Sequence, residues 1–546
     1  MLCMMTALPM LAGNTNENRR RLLGASDEYP VDATWLITNP SFETGDLTGW
    51  TMTPSEGADM GVRDYALSDR DGNYEANLYT WWSGVAIEQV VGEVPAGIYE
   101  VSALVATWEG YTVNFYANDH MVSTAGQGDC TGIRLATTVI VGNDGRLSIR
   151  ADRTDINWWA EGRTDPYATQ GFLKLDDVRL ACKGLLDVSE QSDFTAAALN
   201  VDGLPSLINS DGPGSKGTKL ISTYLKNKGY DIIGFSEDFE YHDELKSNMT
   251  GYSWGTYRGS VNVLNLLSPA NTDGLELAWN TNTVSVTNES WTQWSHSESG
   301  DGNQYIKKGF RHYDMTLDGG QVIDVYVLHM DAGDVPQSRE QQWSQMADVV
   351  NAADPNRPKL IIGDTNSRWT REEIKGNFTD RLTTMTAKDA WVEMRREGVY
   401  PTTAMNDLAD QTFVNSLGTY EVVDKILYLN PTADNTLQLV PKGFRLEQDY
   451  TYGTVEGTDN GTQLGDHRPL AVDFSCMRYK KVTTKIGDVN RDGSITIADL
   501  TAQVNLILGN DAQDASGYDH DAADMNADGE VTTEDIEPLV NLLLDK

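Results

Sequence analysis

The stretch KLIIGDTN (residues 359–366) decides the fold of the central part of the chain. An apolar run leads directly into Asp364 and Asn366, which is the pattern of a buried strand with polar side chains at its carboxyl end. Because strand ends of one layered domain converge, we expect the polar side chains at such ends to share one cleft. Further apolar runs that are typical of core strands are FTAAALNVDG (194–203), YDIIGFSED (230–238), VIDVYVLHMD (322–331), EVVDKILYLN (421–430), which has Asp424 within the run, and RPLAVDF (468–474).

Helical segments separate these strands. KLISTYLKNKG (219–229) and SREQQWSQMADVVNAAD (338–354) are the clearest of them. Buried strands that alternate with helices predict a four-layer α/β sandwich over residues 190–477, in which helices cover two packed sheets.

Polar residues gather at the predicted strand ends and in the loop before the last strand. Carboxylates that are crowded together repel one another unless a metal ion or a proton offsets their charge. Oxygen ligands without thiolates favour a hard cation, so we expect Mg²⁺ (or Mn²⁺) at this site. The candidate residues are Asn200, Glu237, His329, Asp331, Asp364, Asn366, Asp424, Asp466 and His467.

The order of these motifs resembles that of the endonuclease/exonuclease/phosphatase superfamily, whose members hydrolyse phosphate esters. The motifs are LNVDG, DIIGFSE, HMDAG, GDTN, VVDKILY and GDHRPL, and Arg339 and Gln342 suit the R-x-x-Q pattern that follows the His motif. The chain departs from the family at Ser236, where Gln is usual, and at Gly465, where Ser is usual. The resemblance implies a metal-dependent phosphoric ester hydrolase in which water attacks phosphorus in line.

Carried onto this sequence, the resemblance also implies a role for each residue. Those roles are metal binding for Glu237, Asn200 and Asp466, orientation or deprotonation of water for Asp364, phosphate contact for Asn366 and His329, and base catalysis or charge stabilisation for His467 held by Asp424. Asp331 either contacts substrate or only begins the loop after its strand. Taken singly, Asn200 and Asp424 would be turn or capping residues. We expect His242, His296 and His312 to be structural or surface residues.

Residues 486–546 contain an internal repeat with the spacing of calcium loops. In each copy, side chains at alternate positions, a turn glycine and an acidic twelfth residue supply oxygens to a hard cation. The ligand candidates are Asp488, Asn490, Asp492, Ser494 and Asp499 in the first copy, and Asp524, Asn526, Asp528, Glu530 and Asp535 in the second. One helix after each loop and Asp at the twelfth position resemble a type I dockerin, which implies a small all-α module that is folded by Ca²⁺ and docks onto a cohesin-like scaffold protein.

Residues 27–184 show short alternating apolar runs between turn signals, which predict an antiparallel β-sandwich. TNPSFETGDLTGWT (38–51) and LDDVRL (175–180) resemble galactose-binding-like, jelly-roll carbohydrate-binding modules, which implies a possible glycan ligand. The tryptophans here either form a sugar-stacking platform or, as the commoner fate of aromatics, fill the core. In each adjacent pair one member should face outward. They are Trp81, Trp82, Trp108, Trp158 and Trp159.

The first residues, 1–26, are interpreted as the remnant of a secretory signal or as a disordered tail, because MLCMMTALPMLAG is apolar but has no basic start. Together with the two flanking modules, this favours a secreted or cell-surface protein of bacterial origin. Cys130 and Cys182 fall in one predicted domain, where they either form a disulfide or stay as two thiols.

The charge of the chain limits its function. With 81 Asp and Glu against 42 Lys and Arg, the formal net charge is −39, which argues against a basic face for long nucleic acid. A phosphate ester bound through metal ions stays compatible. We therefore expect a phosphodiesterase or phosphatase acting on a glycan, lipid head group or small molecule. The alternatives are an extracellular nuclease and an inactive glycan-binding or docking protein.

Two local features bear on the substrate. A nuclease would need a basic groove, for which the Lys307–Lys308 and Arg311 cluster is the candidate, and a lipid substrate would need an exposed apolar hairpin. Trp291 and Trp294 could form that hairpin, although core burial is favoured. A glycoside hydrolase is disfavoured, since the D-x-N and D-H motifs do not suit it.

Overall fold

The computed structural model describes residues 17–544 except 66, 82, 154–169, 259–271, 301, 304–305, 406–420, 434, 448, 451–463, 483, 510–517 and 527. The chain divides into two compact units. The first comprises Met1–Val188 with Lys480–Lys546, and the second is Ser189–Tyr479. Among the described residues, no helix is both long enough and apolar enough to cross a membrane.

The first unit contains two antiparallel sheets. One sheet has the order β2-β5-β10-β7-β8, and in the other β11 pairs with β1, β4 and β6, while β3 pairs with β4 and β9 with β6. The strands are β1 (Val31–Asp32), β2 (Thr51–Thr53), β3 (Asp59–Arg63), β4 (Glu75–Thr80), β5 (Val85–Val91), β6 (Gly97–Ala106), β7 (Thr112–Ala117), β8 (His120–Ala125), β9 (Ile133–Val141), β10 (Leu147–Arg153) and β11 (Gly171–Asn200), of which β11 belongs to this unit up to Val188.

Alternation of side chains explains how these sheets enclose a core. In β6, Tyr99, Val101 and Ala103 are buried while the residues between them are half-buried. They pack in one cluster with Phe115 and Ile149 of the other sheet. The two-sheet arrangement agrees with the β-rich character expected from the sequence, whereas its jelly-roll connectivity stays a prediction.

The N-terminal segment, the cysteines and the tryptophans of the first unit can now be placed. Leu22 is fully buried in the core of this unit, so the segment just before residue 27 packs against the sheets instead of trailing from them. Cys130 is exposed and Cys182 is buried, and both are free thiols, so they do not form a disulfide. Trp81 is 51% exposed, whereas Trp108 stacks on Phe172 at 4.7 Å. Trp82, Trp158 and Trp159 lie outside the described residues.

The second unit is built on two further sheets, with the orders β13-β14-β12-β11-β22-β21 and β15-β16-β17-β18-β20-β19. β11 pairs in parallel with β12, and β17 with β18. The strands after β11 are β12 (Ile232–Ser236), β13 (Tyr252–Trp254), β14 (Glu276–Asn280), β15 (Val284–Gln293), β16 (Gly309–Leu317), β17 (Val322–His329), β18 (Lys359–Asp364), β19 (Met385–Asp389), β20 (Asp424–Pro431), β21 (Leu437–Leu446) and β22 (Leu470–Lys481).

The core of the second unit lies between its two sheets. Ala196 and Ile232 from the first sheet share a cluster with Val325 and Ile362 from the second. A Cβ on Gly234 would lie 2.9 Å from Cγ2 of Ile362, which explains why glycine interrupts the apolar run of β12. The helices are α1 (Gly214–Lys228), α2 (His242–Lys246), α3 (Pro336–Ala352) and α4 (Ala390–Arg395). The predicted helices at 219–229 and 338–354 are therefore present as α1 and α3, and the four-layer description stays a prediction.

The C-terminal region is helical. It contains α5 (Ile497–Ile507), α6 (His520–Ala523) and α7 (Ile536–Leu544). Val489, Ala502 and Leu539 form its small apolar cluster. A capping box begins α5, because the Thr496 side chain accepts from the first turn while Asp499 accepts from the Thr496 backbone. Thr532 and Asp535 repeat the same arrangement in the second copy.

Candidate active site

Strand register brings three of the predicted residues side by side. His329 at the end of β17 lies opposite Asp364 in the parallel strand β18, and Asp364 lies opposite Asp424 in the antiparallel strand β20. In the other sheet, Asn200 at the end of β11 lies opposite Ser236 at the end of β12. The carboxyl ends of β11, β17 and β18 thus carry Asn200, His329 and Asp364, and the antiparallel strand β20 contributes Asp424 from its first residue.

Asn200 joins the ends of the two sheets. Its Nδ2 donates to Oε1 of Glu237 at 3.0 Å and to Oδ2 of Asp364 at 3.1 Å, while its Oδ1 accepts from the backbone N of Asp202. The buried amide thus holds a carboxylate from each sheet close to the other. These contacts are specific to a residue with both a donor and an acceptor in the side chain.

The carboxylates at this junction fit a hard divalent cation. Ligand atoms of Glu237, His329 and Asp364 lie within 4.8 Å of one another, and so do those of Asp364, Asp424 and His467. Burial raises the pKa of Glu237, although Lys308 and Asn200 oppose this effect. Such oxygen donors, held together at a cost in repulsion, are the ligands that Mg²⁺ and Mn²⁺ prefer.

Asp466 differs from the other carboxylates of the group in being exposed. Its side chain is 62% exposed, and its Oδ1 is 4.0 Å from Nε2 of His467. The sequence groups it with Glu237 and Asn200, whereas the structure places it at the rim of the cleft.

His467 is held by Asp424. Nδ1 of His467 lies 2.6 Å from Oδ2 of Asp424, and its Nε2 lies 3.9 Å from Oδ2 of Asp364. Burial alone would lower the pKa of His467, but the carboxylates of Asp424, Asp364 and Asp466 outweigh it and raise that pKa well above the usual value. His467 is therefore an imidazolium that points its Nε2 into the cleft.

The pKa of Asp364 is shifted in the other direction, below its usual value. Burial would raise its pKa, yet the neighbouring groups His467, His329 and Lys308 outweigh this effect and lower that pKa below the usual value. Asp364 is thus an ionised carboxylate and an acceptor at neutral pH.

His329 is neutral. It is 1% exposed, and its Nε2 lies 3.0 Å from Nζ of Lys308 and 3.6 Å from Oδ2 of Asp364. Burial, assisted by Lys308, lowers the pKa of His329 to about 3. The neutral ring of His329 thus has its Nε2 occupied by Nζ of Lys308, whereas the resemblance implies that His329 contacts the phosphate. The cation on this side of the cleft is Lys308.

Two further residues lie in the cleft, namely Asp202, which the sequence did not single out, and Lys308, which was considered only as part of a basic groove. Lys308 is 5% exposed and donates to the carbonyl of Met330 at 2.9 Å, and burial lowers its pKa against the pull of Glu237, Asp364 and Asp331. Asp202 is also buried, and burial followed by repulsion from Asp466 and Glu237 raises its pKa to about 7. The signal for Asp202 was present in LNVDG, where only the asparagine was considered.

Asn366 and Asp331 take different places. Asn366 adopts a left-handed backbone (φ 47°), and its Nδ2 donates to the carbonyl of Met330 at 3.1 Å beside the cleft. Asp331 is fully buried and accepts from Ser297 Oγ at 3.0 Å and from Ser338 Oγ at 2.6 Å. Asp331 therefore anchors the loop after β17, in line with the structural alternative for this residue.

The R-x-x-Q pair has the same anchoring role. Nη1 of Arg339 donates to the carbonyls of Asp331 and Gly333, and Oε1 of Gln342 accepts from the backbone N of Asp331. The guanidinium is fixed in turn by two hydrogen bonds to the buried carboxylate of Glu373. Both side chains thus hold backbone of the loop instead of facing the cleft.

The tryptophans considered for a lipid substrate and the basic residues considered for a nucleic acid contact other residues of the protein. Trp294 is 4% exposed and donates from Nε1 to the carbonyl of His329 at 2.8 Å, so it is a core residue. The guanidinium of Arg258 lies 4.7 Å from the ring centroid of Trp291. Arg311 is buried and bound to Asp273 and Glu289. The cluster Lys307–Lys308 and Arg311 therefore does not supply an open basic groove.

The two predicted calcium loops turn their carboxylates inward. Asp488 accepts from the backbone N of Asp492 and Gly493, and Asp499 accepts from those of Asn490 and Thr496. The second loop repeats this pattern, with Asp524 accepting from Asp528 and Gly529 and Asp535 accepting from Asn526 and Thr532. First and twelfth ligand positions therefore face the same loop interior, as a bound Ca²⁺ requires.

Comparison with known proteins agrees with this arrangement at the C-terminus. Residues 486–544 match the family model of the Dockerin type I domain. The C-terminal region has the sequence of a type I dockerin. We refer to residues 486–544 as the dockerin region.

Relatives of the remaining chain are more distant. Sphingomyelinases of Mycobacterium tuberculosis and Mycobacterium bovis are 26% identical over 285 residues, which is 52% of this chain and 52% of each relative. The chain thus matches about half the length of these curated relatives.

Solved structures are similar over a comparable share of the chain. An endonuclease/exonuclease/phosphatase family protein from Bacteroides thetaiotaomicron has 16% identity and a TM-score of 0.40, covering 53% of this chain and 99% of that one. The human Nocturnin catalytic domain has 15% identity and a TM-score of 0.37, covering 54% of this chain and 97% of that one.

Proposed function

We propose that residues 190–477 form a divalent-metal-dependent phosphoric ester hydrolase. The observation that carries this proposal is the junction where Asn200 bridges Glu237 and Asp364 beside the His467–Asp424 pair. An ionised carboxylate and an imidazolium that meet at one metal-binding junction suit hydrolysis of a phosphate ester. The 26% identity to mycobacterial sphingomyelinases supports the same class of reaction.

The chain would hold the ion through oxygens of Glu237 and Asn200, with Asp466 at the rim. When bound, Mg²⁺ or Mn²⁺ supplies positive charge to the phosphoryl group. For Asn200 to bind the ion, its side-chain amide must rotate so that Oδ1 takes the position that Nδ2 now has beside Glu237 and Asp364, because only the oxygen can be a metal ligand.

Asp364 and His467 divide the remaining work according to their charge. Asp364, ionised by its cationic neighbours, accepts a hydrogen bond from the attacking water and orients it. His467, held by Asp424 and positively charged, places its Nε2 proton where negative charge develops on the phosphoryl oxygens. Asn366 and Lys308 provide further N–H donors on the His329 side.

A lipid phosphodiester is the substrate class that the chain supports best. Beyond the sphingomyelinase relatives, Leu207 is 80% exposed and Ile208 is 41% exposed on the segment that follows Asp202. Exposed apolar side chains beside a cleft suit contact with a lipid surface. A nuclease is less favoured because Lys308 and Arg311 are both buried.

A substrate panel tests the enzyme proposal. The purified chain, freed of metal by a chelator, is supplied with Ca²⁺ alone or with Ca²⁺ and Mg²⁺, and is offered sphingomyelin vesicles, sugar phosphates and DNA. We expect hydrolysis of the lipid that depends on Mg²⁺ and is lost in Asp364→Asn. Hydrolysis of only DNA would support the nuclease, and absence of hydrolysis on every substrate would support a binding protein.

The flanking regions fit a secreted protein that is attached to a partner. The dockerin region would bind Ca²⁺ and dock onto a cohesin-like scaffold outside the cell. In the first unit, Trp81 is exposed and lies 5.1 Å from Tyr79, which suits stacking on a sugar ring. Titration of the chain with glycans in Trp81→Ala and wild type would test that ligand, since only the wild type should bind.

A further inference from the structure

A second group of potential metal ligands lies outside the catalytic cleft. Asp238, His242 and Glu276 each place a ligand atom within 4.8 Å of the other two, and all three side chains are buried. They come from different elements, since Asp238 follows β12, His242 begins α2 and Glu276 begins β14. We call them the Asp238 cluster.

The Asp238 cluster is distinct from the cleft although Asp238 follows Glu237 in the chain. Glu237 faces Asn200, whereas Oδ2 of Asp238 lies 2.6 Å from Nδ1 of His242. The same Nδ1 lies 3.2 Å from Oε2 of Glu276. Two carboxylates therefore converge on one imidazole nitrogen.

The burial of the Glu276 carboxylate is not compensated by hydrogen bonds within the described part of the protein. It is 1% exposed, its Oε2 approaches Nδ1 of His242, which Asp238 already engages at the shorter distance, and neither of its oxygens makes a well-formed hydrogen bond to a described residue. An unpaired buried carboxylate is costly, so such a group normally binds a cation or takes up a proton. The ion pairs of Arg311 are formed with Asp273 and Glu289 instead of Glu276, and Lys246 is exposed.

We propose that Asp238, His242 and Glu276 bind a structural divalent transition-metal ion of the zinc class. Two carboxylates and a neutral imidazole around such an ion sum to zero charge, which removes the burial penalty of Glu276. A mixed nitrogen and oxygen set of three protein ligands suits Zn²⁺ better than Mg²⁺ or Ca²⁺, which prefer oxygen alone.

The surroundings of His242 are fixed for such a role. Its ring stacks on Tyr257 at 3.9 Å and 9°, and Trp254 packs edge-on at 5.7 Å. These rings hold the imidazole plane and keep water from the cluster. Ligands of one tetrahedral zinc ion lie about 3.3 Å apart, so metal binding requires Asp238 to move slightly from its hydrogen-bonded position at 2.6 Å.

The ion would fasten the segment that carries a catalytic carboxylate. Glu237 has a left-handed backbone (φ 58°), which is a strained conformation for a residue with a side chain. Cross-linking Asp238 to α2 and β14 on one side stabilises this conformation beside the cleft. This metal site does not depend on the reaction that the cleft performs.

Metal content tests the proposal in the full chain. The chain is stripped with a chelator, refilled with excess Ca²⁺ and Mg²⁺, loaded with Zn²⁺ and freed of unbound zinc by gel filtration. We expect one retained zinc equivalent in wild type, and its loss in His242→Gln and Glu276→Gln. Glu237→Gln is the matched control, because it alters the adjacent residue in the cleft and should keep the zinc.

Thermal unfolding supplies a second readout that does not depend on retention during filtration. Zinc should raise the Tm of wild type and of Glu237→Gln but leave those of His242→Gln and Glu276→Gln unchanged. If Glu276 instead carries a proton, Glu276→Gln will melt at or above wild type and zinc will stabilise neither protein. That result, or zinc that is lost equally in Glu237→Gln, would overturn the proposal.

Discussion

At the scale of single residues, charge determines what each side chain of the cleft can do. Asp424 keeps His467 protonated, while Lys308 and burial keep His329 neutral. Two histidines in one cleft thus have pKa values shifted in opposite directions. Such separation of titrating groups is typical of sites that handle protons and charge.

Loss of the His467 imidazolium should abolish most of the hydrolysis. In His467→Gln we expect kcat/KM to fall roughly 10²–10⁴-fold, the usual contribution of a positioned acid–base group, while the Tm stays close to that of wild type. The rate is measured at saturating Mg²⁺ on the substrate that the panel identifies. His296→Gln, which changes a half-exposed histidine, is the control. An undiminished rate in His467→Gln would remove His467 from the site.

The sequence was most informative about residues that follow apolar strands. Asp364, Asn366, Asp424 and His467 could be predicted as one group, since strand ends converge. The burial of Lys308 could not be predicted, because nothing in the sequence around it distinguishes a buried lysine from an exposed one. The carboxylates that stabilise its charge, Glu237 and Asp364, are distant in the sequence. The rim position of Asp466 depends likewise on the path of its loop.

At the scale of elements, an ion-pair network joins the three strands behind the cleft. Asp324 on β17 binds the fully buried Lys359 on β18 at 2.8 Å and Arg357 at 2.8 Å, and His312 on β16 lies 3.2 Å away. Burial would raise the pKa of Asp324, but the hydrogen bonds that it accepts from His312, Lys359 and Arg357 lower that pKa below the usual value.

Removal of this charge should destabilise the second unit in a pH-dependent way. Asp324→Asn leaves Lys359 buried without its carboxylate, and we expect a loss of about 3 kcal/mol at pH 7. Because the folded-state pKa of Asp324 lies below its unfolded value, the wild-type advantage is complete above about pH 4 and shrinks as the pH falls further.

Scanning calorimetry of the full chain between pH 7 and pH 3 measures this difference. Asp318→Asn in the exposed turn before β17 is the matched control and should unfold like wild type. A gap between wild type and Asp324→Asn that stays constant down to pH 3 would contradict the assigned role of the carboxylate.

The elements themselves were largely predictable, but the extent of one strand was not. FLKLDDVRLAC (172–182) and FTAAALNVDG (194–203) each predict a strand, whereas the structure joins them in β11. The joining segment, SEQSD (189–193), is polar and lacks any apolar alternation. Its extended form is set by tertiary pairing, which local sequence does not encode.

At the scale of the whole molecule, the net charge of −39 means that bound cations contribute to the stability of the fold by reducing repulsion between carboxylates. The loops that begin at Asp488 and Asp524 gather carboxylates that repel one another without Ca²⁺. We expect calcium removal to unfold residues 486–544 while β17 and β18 stay folded.

Hydrogen exchange followed by mass spectrometry distinguishes the two regions. With EGTA, amides of α5 and α7 should exchange rapidly and those of β17 and β18 should keep their protection. Asp488→Asn combined with Asp524→Asn should reproduce the effect in the presence of Ca²⁺, whereas Asp521→Asn, outside both predicted ligand sets, should not. Unchanged protection of α5 and α7 in EGTA would show that the dockerin region folds without metal.

The anchoring of the loop after β17 has a practical consequence for directed evolution. The side chain of Asp331 accepts from Ser297 and Ser338, and Gly333 has a left-handed backbone (φ 82°), so randomising residues 331–333 should destabilise the loop. Leu207 and Ile208 expose their side chains, whereas Ser206 beside them is held by Tyr241. A library that diversifies residues 207 and 208 and leaves the loop intact should therefore change substrate range with little loss of stability.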